Sequence, residues 1–265
     1  GSSVDNALFK ISGNKLSTNA VFDFEAQVHY TVHVEVTDQD KLTFARDIAI
    51  HVTDANDAPT GGALVPATIA ENQPKGAEIG SLTATDPDAV DSHTYKIVGG
   101  EDKSLFKVVD GKLVSHKVYD FETQSAMEVI IRVTDAAKAT HDATFNITVV
   151  DTNDSPDDIL LDNNSIAENQ PGVTSIGKLT LLDPDHGDTA GYELVFGEDD
   201  PGNVTFGIVG DQLQLISPFN YEIEDEYSIR IKGTDSGGLS IEKAFSILVT
   251  NVPEAPVGIT LDNNT

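Results

Sequence analysis

The sequence predicts an all-β fold of tandem antiparallel β-sandwiches. Three observations predict it. Apolar residues alternate with polar ones at a period of two, sequence phrases recur about every 97 residues, and no segment sustains a helical period for three turns. A unit of roughly 100 residues holding about seven short strands is the size of one sandwich.

The strands come first. TFNITVV at 144–150 sets Phe145, Ile147 and Val149 on one face and Asn146 and Thr148 on the other. YSIRIK at 227–232 and FSILV from Phe245 alternate in the same way. Turn chemistry separates such runs, as in Asp110-Gly111 and Ser236-Gly237-Gly238.

The repeat follows. DANDAP begins at Asp54 and DTNDSP at Asp151; AENQPKG begins at Ala70 and AENQPG at Ala167; TDPDAVD begins at Thr85 and LDPDHGD at Leu182. FKISGNKL, FKVVDGKL and FGIVGDQL start at Phe9, Phe106 and Phe206, and FDFE, YDFE and FNYE at Phe22, Tyr119 and Phe219. Complete copies are therefore expected at 58–154 and 155–252. Residues 1–57 match the second half of a unit and 253–265 its opening, so an uncovered sandwich face is expected in the first segment. Gly1-Ser2-Ser3 reads as a cloning remnant and nothing near it resembles a signal peptide.

Composition narrows the function. With 44 acids against 16 bases the net charge is −28, which argues against nucleic acid or an anionic membrane as a partner. No apolar run approaches the ~20 residues of a membrane-spanning helix, so no direct membrane insertion is expected. There is no cysteine, which excludes disulfides and thiolate metal sites.

The acids recur in register while the strand sequences drift. At the junction near 154–156 the repeats gather Glu71, Asp120, Glu122, Asp151, Asn153 and Asp154 from one side and Asp183, Asp185 and Asp235 from the other. Near 57 the equivalent set is Asp23, Glu25, Asp54, Asn56, Asp57, Asp86, Asp88 and Asp135. All are hard oxygen donors, which suits Ca²⁺ with its 6–8 oxygens better than Mg²⁺. A single Asp-Gly or Asp-Pro-Asp is ordinarily a turn former bonding its own backbone. Several motifs in register instead favour a cation that neutralises mutually repelling carboxylates. Asp91 and Asp188 share a register beyond these and are candidates to cap or ligate. The last junction, NVPEAP at 251–256, replaces the acids with Asn251 and Pro253, and Asn220 replaces another, so a full site is not expected there.

Taken together, these motifs resemble the cadherin repeat: Glu in E-N-x-P, an acidic D-x-E, D-x-N-D-x-P at the linker, D-x-D, and a later lone Asp. The resemblance covers nearly the whole chain. It implies tandem Ig-like, cadherin-type sandwiches joined by calcium-binding linkers, with the oxygen donors named above as ligands and the Ser155 carbonyl beside them. It further implies Ca²⁺-dependent extender and adhesion repeats that contact neighbouring repeats of the same chain. DFET and AENQPG look more like the repeats of large bacterial surface or secreted adhesins, so an extracellular, bacterial location is expected.

A second reading is recognition of polysaccharide or of like repeats on another cell. The chain has no Trp and 6% aromatics, which offers little for sugar stacking. Catalysis is least favoured. The acids recur in every repeat, neither G-x-S-x-G nor H-E-x-x-H occurs, and the seven histidines share no register and read as surface residues. N-x-S/T sequons occur at Asn146, Asn163, Asn203 and Asn263.

Overall fold

A computed structural model describes residues 5–195, 201–256 and 258, with the side chains of residues 201 and 202 left aside. The chain divides into two compact units between Val150 and Asp151. Each is taken in turn.

The first unit opens with two hairpins. β1 (Phe9–Ser12) pairs with β2 (Lys15–Thr18), and β3 (His29–Thr37) with β4 (Thr43–His51), all antiparallel. Phe9, Phe22 and Tyr30 stack between them, with the Phe22 and Tyr30 rings 4.7 Å apart. Few apolar side chains are covered here: Phe44 is 69% exposed and Ile11 56%.

A full sandwich follows, made of β5 (Gly61–Val65), β6 (Thr68–Ala70), β7 (Glu78–Thr85), β8 (Thr94–Gly99), β9 (Phe106–Val109), β10 (Lys112–Ser115), β11 (Ala126–Thr134) and β12 (Thr140–Val150). One sheet has the order β5-β7-β10-β9 and the other β6-β12-β11-β8. Along β11, Met127, Val129, Ile131 and Val133 all point inward, and on β12 Ile147 and Val149 meet them. Period-two patterning thus builds the core, because alternate side chains share a face.

The second unit repeats the plan with β13 (Asp158–Leu161), β14 (Ser165–Ala167), β15 (Ser175–Leu182), β16 (Gly191–Leu194), β17 (Phe206–Val209), β18 (Gln212–Leu215), β19 (Glu226–Thr234) and β20 (Ser240–Thr250). Its sheets are β13-β15-β18-β17 and β14-β20-β19-β16. Ile159, Leu213, Ile229, Ile231 and Ile247 are fully buried between them.

One detail departs from the purely antiparallel expectation. β6 pairs parallel with β12, and β14 parallel with β20. These three-residue strands leave the first sheet, cross, and lie along the last strand of the opposite sheet. The crossing is tight: a Cβ on Gly80 would lie 1.9 Å from the Pro66 carbonyl oxygen, and on Gly177 2.3 Å from that of Asn163. The unit opening expected at 253–265 falls largely outside the described residues, as does Asn263.

Candidate metal centre

The recurring acids sit where strands end, and their short loops fold by bonding their own backbone. Asp23 Oδ1 accepts from Ala26 N, Asp86 Oδ1 from Asp88 N, Asp120 Oδ1 from Thr123 N, and Asp135 Oδ1 from Ala139 N. Turn formation therefore takes one oxygen of each of these four carboxylates. The second oxygen decides what the group can do.

In the first unit, the linker at 54–57 is clamped onto the following sandwich. The Asn56 amide donates to the Asp57 carbonyl at 2.8 Å and to Asp135 Oδ2 at 2.9 Å. Asp57 N donates to Asp88 Oδ2 at 2.9 Å. Glu25, Asp57 and Asp88 each offer an oxygen within 4.8 Å of the others. A backbone hydrogen bond pulls the Glu25 carboxyl down, but burial and the neighbouring Asp23, Asp54 and Asp57 carboxylates together raise it above the ordinary range. Asp135, 2% exposed, is held low chiefly by the Asn56 hydrogen bond. Glu25, Asp54, Asn56, Asp88 and Asp91 line one cleft of about 1050 Å³.

A further group in this unit joins Glu71, Asp120 and Glu122, again with one ligand atom each within 4.8 Å. Glu71 follows β6 directly, is fully buried, and accepts from Phe121 N at 2.7 Å. Asp120 also accepts the Thr123 hydroxyl, and hydrogen bonds from Thr123 lower its carboxyl.

The second unit reproduces the linker clamp. Asn153 donates to the Asp154 carbonyl and to Asp235 Oδ2, Asp154 N to Asp185 Oδ2, and Asp185 N to Asp183 Oδ1, at 2.8–3.0 Å. Asp151, Asn153, Asp185 and Asp188 line a cleft of about 300 Å³. Asp183, Asp188 and Asp235 bring oxygens within 4.8 Å of one another. Asp183 Oδ2 and Asp185 Oδ1 are buried without a hydrogen-bond partner. Burial raises the Asp183 carboxyl, opposed by the Asp185 backbone bond and reinforced by Asp185, Asp188 and Asp235. Buried carboxylate oxygens without donors are costly. A hard divalent cation is the group this donor set fits.

At the far end of this unit amides bond the remaining acids. Asn169 donates to Glu254 and Asn251 to Glu222, while the fully buried Glu168 accepts from Val252 N and Tyr221 N. The Val252 bond, then the Tyr221 bond, hold the Glu168 carboxyl low.

Several details escape the sequence reading. His93, His116 and His141 are half-buried rather than on the surface, and His93 Nε2 lies 2.7 Å from Asp86 Oδ2. Asn56 and Asn153 use their amide nitrogens as braces between linker and sandwich. The Asn203 sequon is 1% exposed, with its side chain bonded to Val195 and Arg230, whereas Asn146 faces outward.

Comparison with known proteins places this geometry. Residues 65–150 match the cadherin domain family. Protocadherin-16 of Rattus norvegicus is 30% identical over 250 residues, covering 88% of this chain and 8% of the relative. Protocadherin Fat 4 of Homo sapiens is 28% identical over 245 residues, covering 88% of this chain and 5% of the relative. The chain thus spans less than a tenth of these relatives. Among solved structures, a cis-dimer of protocadherin gamma B7 domains EC3–6 aligns with TM-score 0.64 and 23% identity, covering 94% of this chain and 65% of that one. Protocadherin gamma B2 domains 1–5 align with TM-score 0.65 and 22% identity, covering 95% and 52%. These likenesses carry the fold. Mammalian relatives lend no support to the expected bacterial source, nor to a polysaccharide partner. Residues 65–150 are a cadherin domain, in a chain that folds as cadherin-like sandwich repeats.

Proposed function

We propose that this chain is a stretch of an extracellular adhesion protein, non-catalytic, whose repeats are ordered by Ca²⁺ at their linkers. The repeat boundaries at 57/58, 154/155 and 252/253 belong to this reading. The observation that carries it is the pair of buried, unpartnered oxygens on Asp183 and Asp185 beside the braced linker residues Asn153 and Asp154. In the first unit Glu25, Asp57 and Asp88 gather, with Asp23 and Asp54 beside Glu25, and in this reading Asp86 and the Asn56-braced Asp135 complete the corresponding oxygen set. Glu71, Asp120 and Glu122 form the set that follows β6.

The mechanism is electrostatic. Without a cation the clustered carboxylates repel and the linker is loosened. A bound Ca²⁺ replaces missing hydrogen-bond donors with a central charge, and binding energy becomes ordering energy. Affinities of ~10⁻⁴ to 10⁻³ M, common in extracellular modules, keep such sites filled outside cells.

Small-angle scattering and melting curves with Ca²⁺, then with excess chelator, test this. Chelation is expected to increase flexibility and lower the melting temperature. Profiles indifferent to chelator would reduce these acids to turn formers. A second reading, recognition of like repeats, draws support from the cis-dimer seen for protocadherin gamma B7. Sedimentation of this chain with Ca²⁺ tests it, a monomer at all concentrations being the adverse result.

A further inference from the structure

Two loops with the same sequence register end in different chemistry. Asp86 and Asp91 of the first unit correspond to Asp183 and Asp188 of the second, and His93 corresponds to Ala190. Both loops begin alike. Asp91 Oδ1 accepts from Ser92 N at 2.6 Å, and Asp188 Oδ1 from Thr189 N at 2.7 Å. Their second oxygens then diverge. Asp188 Oδ2 accepts from Ser236 N at 3.1 Å and the residue groups with Asp183 and Asp235. Asp91 Oδ2 is buried with no hydrogen-bond partner, and Asp91 groups instead with Asp86 and His93.

The three side chains each offer a ligand atom within 4.8 Å of the others. The His93 side chain is 13% exposed and that of Asp86 4%. Asp91 also lines the cleft of about 1050 Å³, which gives an entry path and room for water. One imidazole nitrogen with two carboxylates is not a calcium donor set, because Ca²⁺ prefers 6–8 oxygens. Imidazole suits Zn²⁺ and its late first-row neighbours, and one His with two carboxylates leaves a tetrahedral position for water.

We propose that Asp86, Asp91 and His93 form a binding site for Zn²⁺ or a similar late first-row divalent cation, present in the first unit and lacking in the second. Ligands on one zinc lie about 3.4 Å apart at ordinary bond lengths. The 2.7 Å spacing of His93 Nε2 and Asp86 Oδ2 therefore opens on binding. The ion takes the place of the hydrogen bond between His93 Nε2 and Asp86 Oδ2, and the neutral imidazole keeps its proton on Nδ1. Because Asp86 is shared with the oxygen set at the linker, Zn²⁺ there changes how that linker holds Ca²⁺.

The exposed His29 and His51 rings, 4.5 Å apart across β3 and β4, are the rival site. The test is Zn²⁺ calorimetry and Co²⁺ visible absorption on the intact chain with Ca²⁺ in excess. One tight Zn²⁺ per chain is expected, weakened about tenfold or more by His93→Ala and unaffected by His29→Ala. Should His93→Ala fail to fold, Asp91→Asn gives the same reading. Zn²⁺ binding that survives His93→Ala and Asp91→Asn but is lost in His29→Ala overturns the proposal, as does absence of binding. Ca²⁺ titration of the same samples keeps the readings apart. Silent Ca²⁺ with intact Zn²⁺ binding removes only the calcium-linker function, and the converse removes only the zinc site.

Discussion

Asp183 shows how one side chain carries both structure and function. One oxygen caps the Asp185 amide and the other is buried without a donor. Its carboxyl is raised from the ordinary 3.8, first by burial. The ion-free fold is therefore favoured by a protonated Asp183: this contribution is fully present below pH 3.8 and fades as pH rises through the raised value. Asp183→Asn should raise the melting temperature in chelator by a few degrees, and should diminish the rise caused by Ca²⁺. Differential scanning calorimetry in both buffers checks the two signs; a variant that melts lower in chelator would contradict the argument. Tyr119 is a purely structural counterpart. Its hydroxyl donates to the Leu105 carbonyl at 2.7 Å, and burial pushes its pKa up to about 12. Tyr119→Phe should cost about 1 kcal/mol, the net worth of one hydrogen bond, since the Leu105 carbonyl still accepts from His116 N. The tyrosine's stabilising effect is complete below pH 10 and is lost as pH rises through about 12, so the variant should also flatten alkaline unfolding curves. Phe219 occupies the equivalent register in the second unit, where this bond does not arise.

At the scale of elements, alternation on β11, β12, β19 and β20 places whole faces in the cores, as the sequence pattern foretold. The short parallel strands were not foretold. Three residues are too few to display a period, and whether they pair with the first sheet or the last depends on where the chain crosses. The crossing relies on glycine. Gly80 and Gly177 lie beside register shifts, where Ile79 and Ile176 turn into the core. Gly177→Ala should destabilise the second unit by about 1–3 kcal/mol, since a Cβ must displace backbone. Urea unfolding followed through Tyr192 and Tyr227 fluorescence measures this. A cost within error would show that the crossing relaxes freely.

For the whole molecule the dominant quantity is a net charge of −28. Ordinary salt screens such charge, whereas a ligated ion is bound. At about 100 times its dissociation constant, each Ca²⁺ should add ~2.7 kcal/mol to the form that binds it. Millimolar CaCl₂ should therefore raise the melting temperature well beyond NaCl of equal ionic strength. Equal shifts from both salts would mean screening alone. The joint-by-joint response should be uneven, because Asn251 and Pro253 replace acids at the last junction, where Asn169 and Asn251 each donate to one oxygen of Glu254 and Glu222.

The sequence by itself determined the sandwich architecture, the repeat and the register of the acids. Each is written in local spacing: a period of two sets a strand's buried face, and a period near 97 superposes one loop on the next. That is why Glu25, Asp57 and Asp88 could be named together before any fold was known. What only the tertiary structure decided is how the second oxygen of each carboxylate is used. Asp91 and Asp188 share a register, yet one has no donor and the other meets Ser236. His93 looked like one of seven unrelated histidines until folding set it against Asp86. The reason is physical: spacing along a strand reports its own period, whereas a partner brought in from another loop is chosen by packing.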